Sequence, residues 1–210
     1  MTNPLAALIE GQVGTTAISP ARALGDLWTT ILSRLAERER AMLGTVHVGK
    51  DSTVPFAFTT TEHPERVNLS LELPADRLEL NVVGWRMAQA KKMQSWLKTY
   101  DAEKALRRLD DHQVVVFVRT AYKKSADAKP YWQREEVDEL GSRAAKHYDA
   151  LWLMKHSMNH YGKGTALAFH IRRSWNWAEL VSHEDAVDTL TEEVRRLLPV
   201  VAEINGVATP

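Results

Sequence analysis

The stretch Val67-Asn68-Leu69-Ser70-Leu71-Glu72-Leu73-Pro74-Ala75-Asp76-Arg77-Leu78-Glu79-Leu80-Asn81-Val82 decides the fold. On either side of Pro74-Ala75 apolar and polar residues alternate with the period of two that belongs to a β-strand. A two-residue connection at Pro74-Ala75 pairs Leu71 with Leu78 and Leu69 with Leu80, so the leucines share one face of a hairpin. The other face carries Asn68, Ser70, Glu72, Arg77, Glu79 and Asn81, with Glu72 opposite Arg77 and Ser70 opposite Glu79. One apolar and one polar face predict an antiparallel sheet with a core side and a wet side.

Toward the N-terminus the alternation continues in Phe56 and Phe58 and in Val46 and Val48, which predicts further strands of the same sheet. Before them Ser19-Pro20 sets an N-cap residue in front of a proline at the first helical position. Leu24, Leu27, Trp28, Ile31, Leu32 and Leu35 then recur at helical spacing as a core stripe, and Gly44 ends the helix. Residues 1–18 show no sustained period and read as an arm or tail.

Beyond Gly84 a helix carries Met87, Ala90, Met93, Trp96 and Leu97, and Asp101 caps a shorter helix with Leu106 and Leu109. Val114 to Val118 is apolar at every position and predicts a strand covered on both faces, in the middle of the sheet. Lys123 to Asp138 is polar, contains Pro130, and reads as a long loop in which Tyr131 and Trp132 either pin the loop to the core or stand beside Lys129 and Arg134 for a ligand. A long helix is expected from about residue 135 to Tyr161, ended by Gly162, followed by a strand from Thr165 to Ile171. Ser182 and Asp185 have capping-box spacing for a last helix with the stripe Val187, Leu190, Val194 and Leu197, which Pro199 should end or kink.

The order of elements is α+β rather than alternating βαβ: a largely antiparallel mixed sheet of about five to six strands covered by helices. A chain of 210 residues falls within the range of one compact domain, expected over 19–210. Its 44% hydrophobic and 26% charged residues are those of a globular protein, not a disordered one. With no cysteine, disulfides and thiolate metal sites are excluded. The N-terminal stretch lacks the basic region and the apolar length of a signal peptide, and no uncharged apolar run approaches the roughly 18 residues of a membrane span. A cytoplasmic protein without membrane contact is expected.

The formal net charge is zero, but it is unevenly spread. Residues 84 to 175 hold 18 Lys and Arg against 10 Asp and Glu, and the remainder holds 9 against 17. A basic middle either faces an anionic ligand or pairs with the acidic ends inside the fold.

Chemistry-bearing motifs are sparse. His156 and His160 stand four apart on the expected helix, but His156-Ser157-Met158-Asn159-His160 lacks the glutamate of the zinc-protease motif, and a third ligand would have to come from His147, Asp149 or His170. Gly162-Lys163-Gly164-Thr165 leads from helix to strand, the reverse of a phosphate loop, and reads as a turn. In the following strand His170 and Arg172 point the same way, and with Lys163, Arg173, Trp175 and Trp177 they form a candidate anion site. The competing reading pairs the two arginines with Glu184, Asp185 and Asp188 of the last helix. Lys91, Lys92, Arg119, Lys123 and Lys124 would extend the basic surface, or are simply solvated. Glu72 and Glu79 lie near enough on the polar hairpin face to suggest an acid and base pair, or a solvated face.

The leading functional expectation is therefore nucleic-acid or nucleotide binding through residues 84–175, with or without a processing activity, at Lys91, Lys92, Arg119, Lys123, Lys124, Lys163, His170, Arg172, Arg173 and Trp175. A small-molecule enzyme using His170, Arg172 and the polar hairpin face on an anionic substrate is the alternative. A non-catalytic adaptor dimerising through an apolar helix is the third. No cofactor or metal is expected.

Overall fold

The computed structural model describes residues 19–49, 54–74, 76–84, 86–120, 136–157, 165–176, 179–180 and 185–209. Among these are the helices α1 (Pro20–Ser33), α2 (Glu37–Leu43), α3 (Met87–Leu97), α4 (Tyr100–Leu106), α5 (Ala150–Ser157) and α6 (Ala186–Asn205). The strands are β1 (Thr45–Val48), β2 (Phe56–Thr60), β3 (Asn68–Glu72), β4 (Arg77–Val83), β5 (Gln113–Thr120), β6 (Glu136–Ala144) and β7 (Thr165–Asn176). They form a seven-stranded antiparallel sheet in an α+β fold, one strand more than the upper count expected from sequence. No described helix is long and apolar enough to cross a membrane. The chain divides into two compact units, one running to Val82 and resuming at Arg173, the other spanning Val83–Arg172.

In the first unit the strands follow the order β1-β2-β3-β4. Ser19 caps α1 by accepting from the Arg22 N–H, with Pro20 behind it as the sequence predicts. The predicted single helix to Gly44 is in fact two, broken after Ser33, and Gly44 closes α2 in a φ of 79° that suits glycine. Leu24, Leu27, Trp28 and Ile31 are fully buried, and the Trp28 indole donates to the Ala57 carbonyl of β2 at 3.0 Å. On the sheet side of α1, Gly25 leaves the space into which Val48 of β1 fits. α6 packs on α1 and α2 and does not end at Pro199, as expected, but runs on to Asn205. Its last side chain clamps the chain before β3: the Val67 N–H donates to Asn205 Oδ1 at 2.9 Å, and Asn205 Nδ2 donates to the Val67 carbonyl at 3.3 Å. Arg195 ties α6 to the α1–α2 corner through the Arg34 carbonyl at 2.7 Å and Glu39 at 3.6 Å.

The second unit is built on β5, flanked by β6 and β7. Val114, Val115, Val116 and Val118 are all buried, as the unbroken apolar run requires of a strand covered on both faces. The predicted long helix over 135–161 is overturned. Glu136–Ala144 is strand β6, a short 3₁₀ turn follows at Ala145–His147, and only Ala150–Ser157 is helical. Residues rich in Glu, Leu, Arg and Ala favour a helix locally, but pairing with β5 along its whole length outweighs that weak preference. Its acidic residues suit a strand at the end of the strand order. Thr99, not Asp101, caps α4, and Asp101 sits in its first turn.

Tyr148 joins α3 to the start of α5. Its hydroxyl donates to the Leu97 carbonyl at 2.7 Å, and burial, aided by Glu103 and Asp149, pushes its ionisation well above that of an ordinary phenol. An unfolded tyrosine loses its proton near pH 10 while Tyr148 keeps it, so stability falls as pH rises above about 10. Tyr148→Phe is expected to flatten this alkaline limb in urea titrations and to cost about 1 kcal/mol at neutral pH for the lost hydrogen bond. An unchanged limb would assign the alkaline loss to other groups.

Candidate functional site

Of the basic and aromatic residues singled out from sequence, the side chains of Lys91, Lys92, His170, Arg172, Arg173 and Trp175 are described. Lys91 is exposed and Lys92 half-exposed on α3, and neither has a hydrogen bond or ion pair among the described residues. Arg119 belongs to β5 but its side chain is not described, and Lys123, Lys124 and Lys163 lie outside the described residues. His170 is buried with its ring 4.6 Å from that of Phe117. Pairing with β5 sets His170 beside Val115 and Arg172 beside Gln113, so the two do share a face. Arg172 donates to Gln113 Oε1 at 3.3 Å and lies 3.6 Å from Glu139.

Arg173 and Trp175 point the other way. The Arg173 guanidinium binds the buried Glu193 of α6 and lies 4.9 Å over the buried Trp175 ring. The last helix thus answers Arg173 through Glu193, while Glu184 lies outside the described residues. Trp175 is enclosed rather than presented for stacking. His156 sits against Trp152 and fills the room that Gly141 leaves on β6, and its intended partner His160 is outside the described residues. No group of three or more His, Asp or Glu that could hold a metal occurs among the described residues.

The polar face of the β3–β4 hairpin gathers functional groups more closely. It was expected to be wet, and it is not: Ser70 is 1% exposed, Glu72 8%, Glu79 5% and Asn81 0%. Alternation put these side chains on one face, and the Arg77 N–H, at 3.5 Å from the Pro74 carbonyl, closes a four-residue turn that preserves this parity across the hairpin. Ser70 Oγ donates to Glu72 Oε1 at 3.0 Å. Arg77 Nε donates to Glu79 Oε1 at 2.7 Å, two residues along its own strand, instead of reaching Glu72 as the predicted register had it. That hydrogen bond is the main reason the guanidinium holds its proton even more firmly than usual. Among the described residues neither Oδ1 nor Nδ2 of Asn81 has a hydrogen-bond partner.

Across β2 the face becomes aromatic. Phe56 lies opposite Glu72 and Phe58 opposite Ser70, and His47 of β1 lies opposite Phe58. The rings of Phe56 and Phe58 stack at 5.8 Å and those of Phe58 and His47 at 5.7 Å. Gly49 has no side chain because the Phe56 ring occupies that space. Phe56 and Phe58 are half-exposed, so the face runs from partly open rings on β2 to the fully enclosed amide on β4.

Burying a carboxylate or an amide is costly unless each polar atom is answered, so a covered face made of them is a poor way to build a core and a good way to hold a polar ligand. Sequence reading placed Glu72, Glu79 and Asn81 on this face; the signal it lacked was that the face is covered, which alternation alone cannot reveal. Set against known proteins, the chain matches no family, no curated protein and no solved structure.

Proposed function

We propose that this protein binds a small polar molecule on the inner face of the β3–β4 hairpin. The observation that carries the reading is Asn81, whose amide is wholly buried with neither atom hydrogen-bonded, beside the buried Ser70, Glu72 and Glu79. Each unanswered buried group costs about 1–3 kcal/mol, a penalty that a ligand able to pair with it would relieve. This narrows the small-molecule alternative raised from sequence, which named His170, Arg172 and the polar hairpin face, to binding on the hairpin face alone. A thermal-shift screen of polar metabolites is expected to yield compounds that raise the melting temperature, with the rise lost in Asn81→Val. If no compound shifts the wild type, the reading falls.

Nucleic-acid binding is the second reading, and it now rests on α3 and α4. Lys91 and Lys98 on the first helix and its C-cap, and Lys104 on the second, are exposed and without ion partners among the described residues. Fluorescence anisotropy with single-stranded and duplex oligonucleotides across a salt series tests it. Binding that weakens with salt and in Lys91→Ala would support this reading, and none at low salt would remove it.

A further inference from the structure

Asn81 also indicates what kind of ligand edge fits it. A carboxamide presents a donor and an acceptor side by side in one plane, so its best bidentate partner is another edge with one acceptor and one donor. A pair of acceptors or a pair of donors satisfies only half of it. In Asn81 both atoms are enclosed and both lack a partner, so both demands are open together.

The rest of the face sets the shape. Asn81 stands on β4 and the half-exposed Phe56 and Phe58 on β2, with β3 between them. Two strand spacings separate them, roughly 9–10 Å. A molecule with an apolar or aromatic body against these rings and a planar polar edge at its far end spans that distance.

Resting on the binding reading above, we infer that the ligand is an elongated, amide-edged molecule, such as a heterocyclic base, lactam or carboxamide, that pairs bidentately with Asn81 and lays its apolar body toward Phe56 and Phe58. Ser70, Glu72 and Glu79 are buried on the same face and favour further hydroxyl or N–H donors on the ligand.

Three probes of one shape test the edge: 4-phenylbenzamide offers a donor and an acceptor, 4-phenylbenzamidine two donors, and 4-phenylbenzoate two acceptors. Affinities from ligand-observed NMR on the full chain are expected to favour the benzamide by about tenfold over the other two, the weight of one good hydrogen bond. Asn81→Asp, which turns the edge into acceptors alone, is expected to move the preference to the benzamidine by a similar factor. If the wild type prefers the benzamidine or the benzoate and Asn81→Val abolishes that binding, the site stands and the inferred edge is wrong. If binding survives Asn81→Val, or none of the three binds, the hairpin site falls with it. The wild-type ranking needs no variant to fold, so a misfolded Asn81→Asp does not spare the inference.

Discussion

Trp28→Ala is expected to cost about 4–5 kcal/mol of stability. The indole is fully buried among Leu24, Leu27 and Ile31, so its removal leaves a cavity that the packed stripe of α1 cannot close. It also takes the donor from the Ala57 carbonyl on β2, a polar link from the middle of α1 to the sheet. Against the 5–15 kcal/mol typical of a folded domain, such a loss leaves a marginal protein. Urea unfolding followed by circular dichroism measures it, with Trp28→Phe as a control expected to lose about half as much, since most of the volume stays. A loss below about 1 kcal/mol for the alanine variant would mean that α1 is not anchored through this side chain.

The second large effect has the opposite sign. Asn81→Val is expected to raise stability by about 2 kcal/mol while ending ligand binding. Valine fits a strand by its branched β-carbon and removes two buried polar atoms that have no partner. A stability gain at the point where function is lost is the mark of a residue kept for what it binds. Were the variant less stable than the wild type, the amide would have to be hydrogen-bonded in the folded protein, and the binding reading would lose its main support.

Much of the fold was legible in particular residues. Ser19-Pro20 marked the start of α1 because cap and proline act within a single turn, and Val114 to Val118 marked a strand covered on both faces because five consecutive β-branched or aromatic residues favour a strand and leave neither face polar. β6 was not legible. Its nine residues have the helix preference of Glu, Leu and Ala, and what makes them a strand is β5, more than a dozen residues away in sequence. The same limit hid the candidate site. Ser70, Glu72, Glu79 and Asn81 alternate in the same way whether a face meets water or is covered, so the pattern yielded the face without its environment. Conversely Arg172, Arg173 and Trp175 look like a binding cluster in one dimension, yet consecutive residues of a strand point to opposite sides, and each arginine meets an acid of its own.

The first unit is interrupted in sequence: its helices α1 and α2, strands β1 to β3 and β4 as far as Val82 come first, and its closing helix α6 follows Arg172. On the ribosome this is a matter of waiting. At about 5–20 residues per second, the intervening Val83–Arg172 takes roughly 5–20 s to be made, and for that time the nascent β-meander lacks the helix that clamps Val67 and packs on α1. Its leucine-rich hairpin is then an unfinished surface, open to chaperones and to neighbouring nascent chains. A full-length chain diluted from denaturant suffers no such delay, so the yield of folded protein in the cell should depend on translation speed through residues 83–172 in a way that refolding in the test tube does not.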